Sequence, residues 1–188
     1  HSAYPDRSNN PIVAMVKLLD KLVSHQLDAG TEHFDPSTLA ITSVDTGNKA
    51  SNVIPAVTKA TVNIRFNDSH SGSSLVSWLK DEIEKVSAEY GIKFKTDFKI
   101  SGESFITPPG ELSDLISKAV KQELGVNPKL STTGGTSDAR FIKDMCPVTE
   151  FGLVGKTMHA VDEKVETKQI NQLKEIYTRI LEAYFEKT

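Results

Sequence analysis

The chain has 188 residues, 38 % of them apolar, with 22 basic and 25 acidic side chains, a net charge of −3 and a slightly negative mean hydropathy. That is enough chain for one large or two small domains with a real core. It holds no basic stripe interleaved with aromatics, which argues against nucleic acid as a partner, and no apolar run near the ~20 residues of a membrane helix.

Its single cysteine, Cys146, excludes an internal disulfide and fits a reducing compartment. Within the apolar flank Met145 to Val148 that thiol is expected to be buried and inert. The chain opens on His1-Ser2-Ala3-Tyr4-Pro5, with neither an initiator Met nor the charged-then-apolar run of a signal peptide. An internal stretch is expected here, with a purification-tag histidine as the competing reading.

Asn10 and Pro11 suit the cap and first position of a helix. Ile12, Met15, Val16, Leu19, Leu22 and Val23 then fall on one face, and the helix is expected to end near Asp28-Ala29-Gly30. Residues 38–45 and 57–66 alternate and are rich in branched side chains, so each reads as a strand. After turn residues at 67–72, a helix over about 73–90 is stopped by Gly91. Residues 92–100 alternate strictly and read as a further strand with a wet lysine face. The order α-β-β-α-β lacks the opening strand that a ferredoxin-type β-α-β-β-α-β sandwich requires, which leaves an edge open.

Pro108, Pro109 and Gly110 mark a crossing between domains, placing the division at 1–105 and 106–188. Beyond it come a helix over about 111–124, a short strand near 128–131, and a glycine turn at 132–138 leading into a short helix. A buried strand at 148–153, a loop at 154–166 and a last helix over about 167–186 follow. In that helix Ile170, Leu173, Ile176, Ile180, Leu181 and Tyr184 are expected inward. The fold class is α/β: an α+β first part followed by a block with few strands for its length.

Of the five histidines, His25, His33 and His70 lack a second ligand at metal spacing and read as structural or surface groups. His159 differs, because it sits in a loop just past a strand, where α/β folds place their sites. Gly134-Gly135-Thr136-Ser137-Asp138-Ala139-Arg140 allows a ligand to approach the backbone closely, or simply caps the helix that follows. Asn52 suits a turn, and Arg65 near a strand end suits either an ion pair or a paired grip on a carboxylate.

In this order and spacing, several stretches resemble the zinc-dependent aminoacylase and carboxypeptidase superfamily, most closely its succinyl-diaminopimelate desuccinylases. They are His1 to Pro5 with Asn10-Pro11, Ser51 to Pro55, Asn63 to Phe66, Ser101 to Phe105, Gly134 to Phe141, and Glu150 to His159. The resemblance implies a dizinc catalytic domain with an inserted lid that forms a homodimer. Residues 1–105 would be the lid without its first strand, and 106–188 the C-terminal portion of the catalytic domain.

It further implies that His1 is the lid histidine that polarises the scissile amide carbonyl across the dimer. Tyr4 and Asn52 would close over substrate. Arg65, Ser101, Gly102 and Thr136 would bind its carboxylate end, with Arg140 in the same motif, and His159 would be the last zinc ligand. The family's remaining ligands, a His, an Asp and two Glu, and its glutamate base have no counterpart in this chain. Alone, the chain is therefore expected to be inactive and not to retain zinc. Ser51 and Gly155 depart from the desuccinylase pattern, which keeps a related acetylornithine deacetylase-like deacylase or a dipeptidase open. A non-catalytic dimerisation module is the reading from another class. The implied setting is cytoplasmic lysine biosynthesis, with a small N-succinyl amino acid as substrate.

Overall fold

Asn10 does cap the first helix, its side-chain oxygen accepting from the Ile12 N–H at 3.0 Å, with Pro11 at the first helical position. The computed structural model describes residues 1–135 and 137–186. Its elements are a 3₁₀ turn Pro5–Arg7, α1 Pro11–Ser24, β1 Thr38–Asp45, β2 Lys59–Arg65, α2 Gly72–Tyr90, α3 Glu111–Leu124, α4 Ala139–Ile142 and α5 Thr167–Phe185. The fold is mixed α/β with a small sheet. Chain contacts divide it into two compact units, His1–Phe105 and Ile106–Thr188.

In the first unit β1 and β2 form an antiparallel pair, with Leu39 opposite Ile64 and Ile41 opposite Val62. A bulge between Ile41 and Ser43 shifts the register, after which Val44 faces Ala60. Leu39 and Val62 pack with Trp78, Leu79 and Ile83 on a core of Ala14, Leu18, Leu22 and Val86 from α1 and α2. Leu22 and Val86 are among the most deeply buried side chains. Burying groups of this size stabilises the unit by about 1.5–3 kcal/mol each. α2 starts with a reciprocal cap between Ser71 and Ser74 and ends at Gly91, whose φ of 62° is left-handed.

Three expected strands are absent among the described residues. Residues 92–100 keep their alternation as burial only at the start, with Ile92 and Phe94 against the α1–α2 core and Ile100 exposed, and their backbone makes no strand ladder. A strand needs a hydrogen-bonding neighbour. In a split β-α-β-β-α-β order the closing strand lies beside the opening one, and no opening strand is present among the described residues. Residues 128–131 and 148–153 likewise form no strand.

Two helical faces also differ from expectation. α1 buries Ala14, Leu18, Leu19 and Leu22, leaving Val16 and Val23 more than half exposed at 56 % and 51 %. It ends at Ser24 rather than near Gly30, because His25 turns extended and Asp28 is committed elsewhere, as described below. In the second unit α5 packs on α3 through Ile176 and Ile180 against Ile116, Ala119 and Val120. With one helical neighbour to cover it, α5 leaves Ile170, Leu181 and Tyr184 exposed. The half-buried Phe151 joins that cluster and meets Tyr177 edge-on, while the Tyr177 hydroxyl donates to the Phe151 carbonyl.

Candidate functional site

At the start of the first unit, a tight turn gathers three of the candidate residues. The Tyr4 N–H donates to the His1 carbonyl at 3.0 Å, and the Ala3 N–H donates to His1 Nδ1 at 3.1 Å. The rings of His1 and Tyr4 lie 5.5 Å apart at a tilt of 55°. The Ser2 N–H donates to the Asn52 carbonyl at 3.0 Å, which brings the 46–55 loop against the same turn. An Nδ1 that accepts a hydrogen bond leaves the neutral ring's proton on Nε2. His1 therefore presents an N–H donor from an exposed position.

Two residues of this cluster were missed by sequence reading. Arg7 lies with its guanidinium carbon 4.8 Å from the Tyr4 ring centre, a cation–π contact. Asn48 braces the loop that carries Asn52, its amide donating to the Val53 carbonyl at 2.8 Å while its oxygen accepts from the Ala50 N–H at 3.2 Å. Asparagine in a loop was a visible signal, but sequence does not say which asparagine braces and which is presented.

Arg65 ends β2, opposite Thr38 in the register, on the sheet face turned away from the helices. Ser101 is exposed and Gly102 half-buried. Both precede Glu103, whose carboxylate accepts from the Gly72 N–H at 3.1 and 3.0 Å and so ties the segment to the positive end of α2.

In the second unit, the Ser137 hydroxyl accepts from the Ala139 N–H at 3.0 Å, the capping alternative for this turn. Arg140 folds back on the same turn. Its Nη1 donates to the Ser137 carbonyl at 3.1 Å, its guanidinium carbon lies 4.4 Å from the Phe141 ring centre, and its buried Nε has no partner among the described residues. Thr136 lies outside the described residues. Cys146, expected buried, is exposed in the turn after α4. His159 is exposed in the 154–166 loop, with a left-handed φ of 60°.

Among the described residues, no group of three or more His, Cys, Asp or Glu side chains is arranged to hold a metal ion. His159 offers one imidazole donor, which on its own does not make a zinc centre.

Residues 1–91 match the peptidase dimerisation domain family. The chain is 64 % identical over 185 residues, 98 % of its length, to a succinyl-diaminopimelate desuccinylase of Cereibacter sphaeroides, and covers 49 % of that protein. The desuccinylase of Ruegeria pomeroyi is 63 % identical over the same share of each chain. Among solved structures, the aminopeptidase PepT of Bacillus cereus has a like fold, with a TM-score of 0.71 at 19 % identity over 97 % of this chain and 48 % of that one. The chain is thus similar to the succinyl-diaminopimelate desuccinylases, about half of whose length it spans, and its residues 1–91 match the peptidase dimerisation domain family.

Proposed function

We propose that this chain is part of a dizinc amide hydrolase that cleaves N-succinyl-LL-2,6-diaminopimelate to succinate and LL-diaminopimelate in cytoplasmic lysine biosynthesis. The observation that carries the reading is the 64 % identity to a named desuccinylase along 98 % of the chain. In this reading residues 1–105 are the lid and dimerisation domain, and 106–188 the C-terminal portion of the catalytic domain. Among the described residues, no helix is long and apolar enough to cross a membrane.

The chain's own residues then divide the work as follows. His1 donates from Nε2 to the oxyanion that forms when the amide carbonyl is attacked, a contact that strengthens as charge develops. The acceptor role of its Nδ1 supports this tautomer. Tyr4 and Asn52, drawn to the same turn, close over the substrate. Arg65 grips its carboxylate with a paired hydrogen bond, and Ser101, Gly102, Thr136 and Arg140 complete the polar end of the site. His159 is the one zinc ligand this chain contributes. The other ligands and the base that activates water would come from the remainder of the relatives' length, so the chain by itself is expected to be inactive.

A chimera tests the reading. These 188 residues would replace the aligned stretch of the Cereibacter sphaeroides desuccinylase. The chimera is expected to release succinate from N-succinyl-LL-2,6-diaminopimelate and to ignore N-acetylornithine and dipeptides. His1→Ala in the same chimera is expected to lower kcat by about 10²–10³, the usual loss for one oxyanion donor. Turnover of acetyl or peptide substrates alone would move the assignment to a deacylase or dipeptidase.

A second reading has its own support. Residues 1–91 match a dimerisation family and α1 exposes valines, so the isolated chain is proposed to act as a pairing module between two copies.

A further inference from the structure

The loop that carries His159 is closed by a single hydroxyl. Thr157 Oγ1 accepts from the Lys164 N–H at 3.0 Å and donates to the Lys164 carbonyl at 2.9 Å, joining the two ends of an eight-residue ring, 157–164. Inside the ring the Ala160 N–H donates to the Thr157 carbonyl at 3.0 Å, and just before it the Met158 N–H donates to the Gly155 carbonyl at 3.2 Å.

Two residues of this ring, His159 and Asp162, both have φ of 60°. That left-handed backbone is uncommon for a residue with a Cβ, although His and Asp adopt it more readily than most. Packing does not impose it here, because Met158 is 61 % and Val161 93 % exposed and His159 is exposed as well. What spans the loop is the hydroxyl clasp. The Met158 side chain also folds over Gly155, where an added Cβ would come within 2.6 Å of the Met158 methyl.

We propose that Thr157 is a positioning residue: its two hydrogen bonds to Lys164 hold His159 in a left-handed backbone at the apex of a closed loop and so fix where the imidazole points. The inference rests on the hydrolase reading only in making His159 the working group of the loop. The clasp itself is a property of this chain.

The test uses Thr157→Val, which keeps the shape of the side chain and removes both hydrogen bonds, and Thr157→Ser, which keeps the hydroxyl. In the full 188-residue chain, amide exchange at Lys164 is expected to quicken about tenfold in the Val variant, the effect of losing one ordinary hydrogen bond. The His159 amide-to-Hα coupling is expected to leave its left-handed value. The Ser variant is expected to match the parent in both readouts, and all three chains to keep the same helical circular dichroism. Should Thr157→Val fail to fold, Thr157→Ala carries the same expectation.

In the chimera described above, bound zinc per subunit is expected to fall with Val and to return with Ser. Parent-like exchange and coupling in the Val variant would overturn the proposal, as would a Ser variant that behaves like Val. These readouts come from the chain itself, so an inactive chimera would count against the hydrolase reading and leave the clasp standing.

Discussion

Asp28 shows how one residue can hold a region together. Its carboxylate accepts from the Gly30 N–H at 2.7 Å, the Ser37 N–H at 3.1 Å and the Asn67 amide at 2.7 Å, and His70 Nε2 lies 3.1 Å away. Burial raises its pKa, but hydrogen bonds from the Ser37 hydroxyl, the Gly30 and Ser37 N–H groups and Asn67 outweigh that and hold it far below the usual carboxylate range. Because the folded value is depressed, the stabilisation is complete above about pH 5 and fades as pH falls below the unfolded value of about 4. Asp28→Asn is therefore expected to cost about 1.5–3 kcal/mol at pH 7, with the gap to the parent narrowing toward pH 2. Urea unfolding followed by Trp78, the single tryptophan and part of this unit's core, measures it. An equal gap at pH 3 and pH 7 would contradict the ionised-hub account. None of this was legible in the sequence. Asp28, Ser37, Asn67 and His70 are spread over forty-odd positions, and His70 was read as a structural or surface group with no named partner. By contrast, His1, Tyr4 and Asn52 were legible as a group only through a family resemblance, since Ser2 and Asn52 meet across half a domain.

At the scale of elements, what the sequence carried well was anything local. Asn10-Pro11 and Gly91 mark helix ends through groups within a few residues, and those ends lie where the markers stand. What it carried poorly was anything that needs a partner. Alternation in residues 92–100 gave a wet lysine face, and Ile92 and Phe94 on the other face do pack on the core, yet it could not supply a neighbouring strand. The valines of α1 and the outer residues of α5 were read as core because periodicity gives a face without saying how wide its cover is. Glu103 is an element-scale link of the same hidden kind, a distant carboxylate on the N-terminus of α2. Glu103→Ala is expected to destabilise α2 by about 1 kcal/mol, as losses at helix N-termini do. Amide exchange should quicken in the first turn of α2 and leave α5, in the other unit, unchanged. Protection lost equally in α2 and α5 would mean that the substitution acts through general unfolding and not through this end contact.

For the whole molecule, the question is what covers the first unit's open surfaces. Its sheet has two strands, so β1 and β2 each present an outer edge, and such edges invite pairing with another chain. On α1, Val13, Val16 and Val23 are 45 %, 56 % and 51 % exposed, beside a helix face that is otherwise well packed. Exposed apolar stripes of this kind mark interfaces more often than solvated surface, and the family match over residues 1–91 is to a dimerisation domain. A two-fold pairing would let one patch cover its own copy. The chain is therefore expected to sediment as a dimer at tens of micromolar. Val16→Glu should drive it toward monomer by placing a charge in the contact, while leaving the helical circular dichroism unchanged because Val16 is not part of the core. If parent and variant both run as monomers across that range, the valine stripe is not where copies meet. If both run as dimers, the contact lies elsewhere, with the open edge of β1 the next place to substitute.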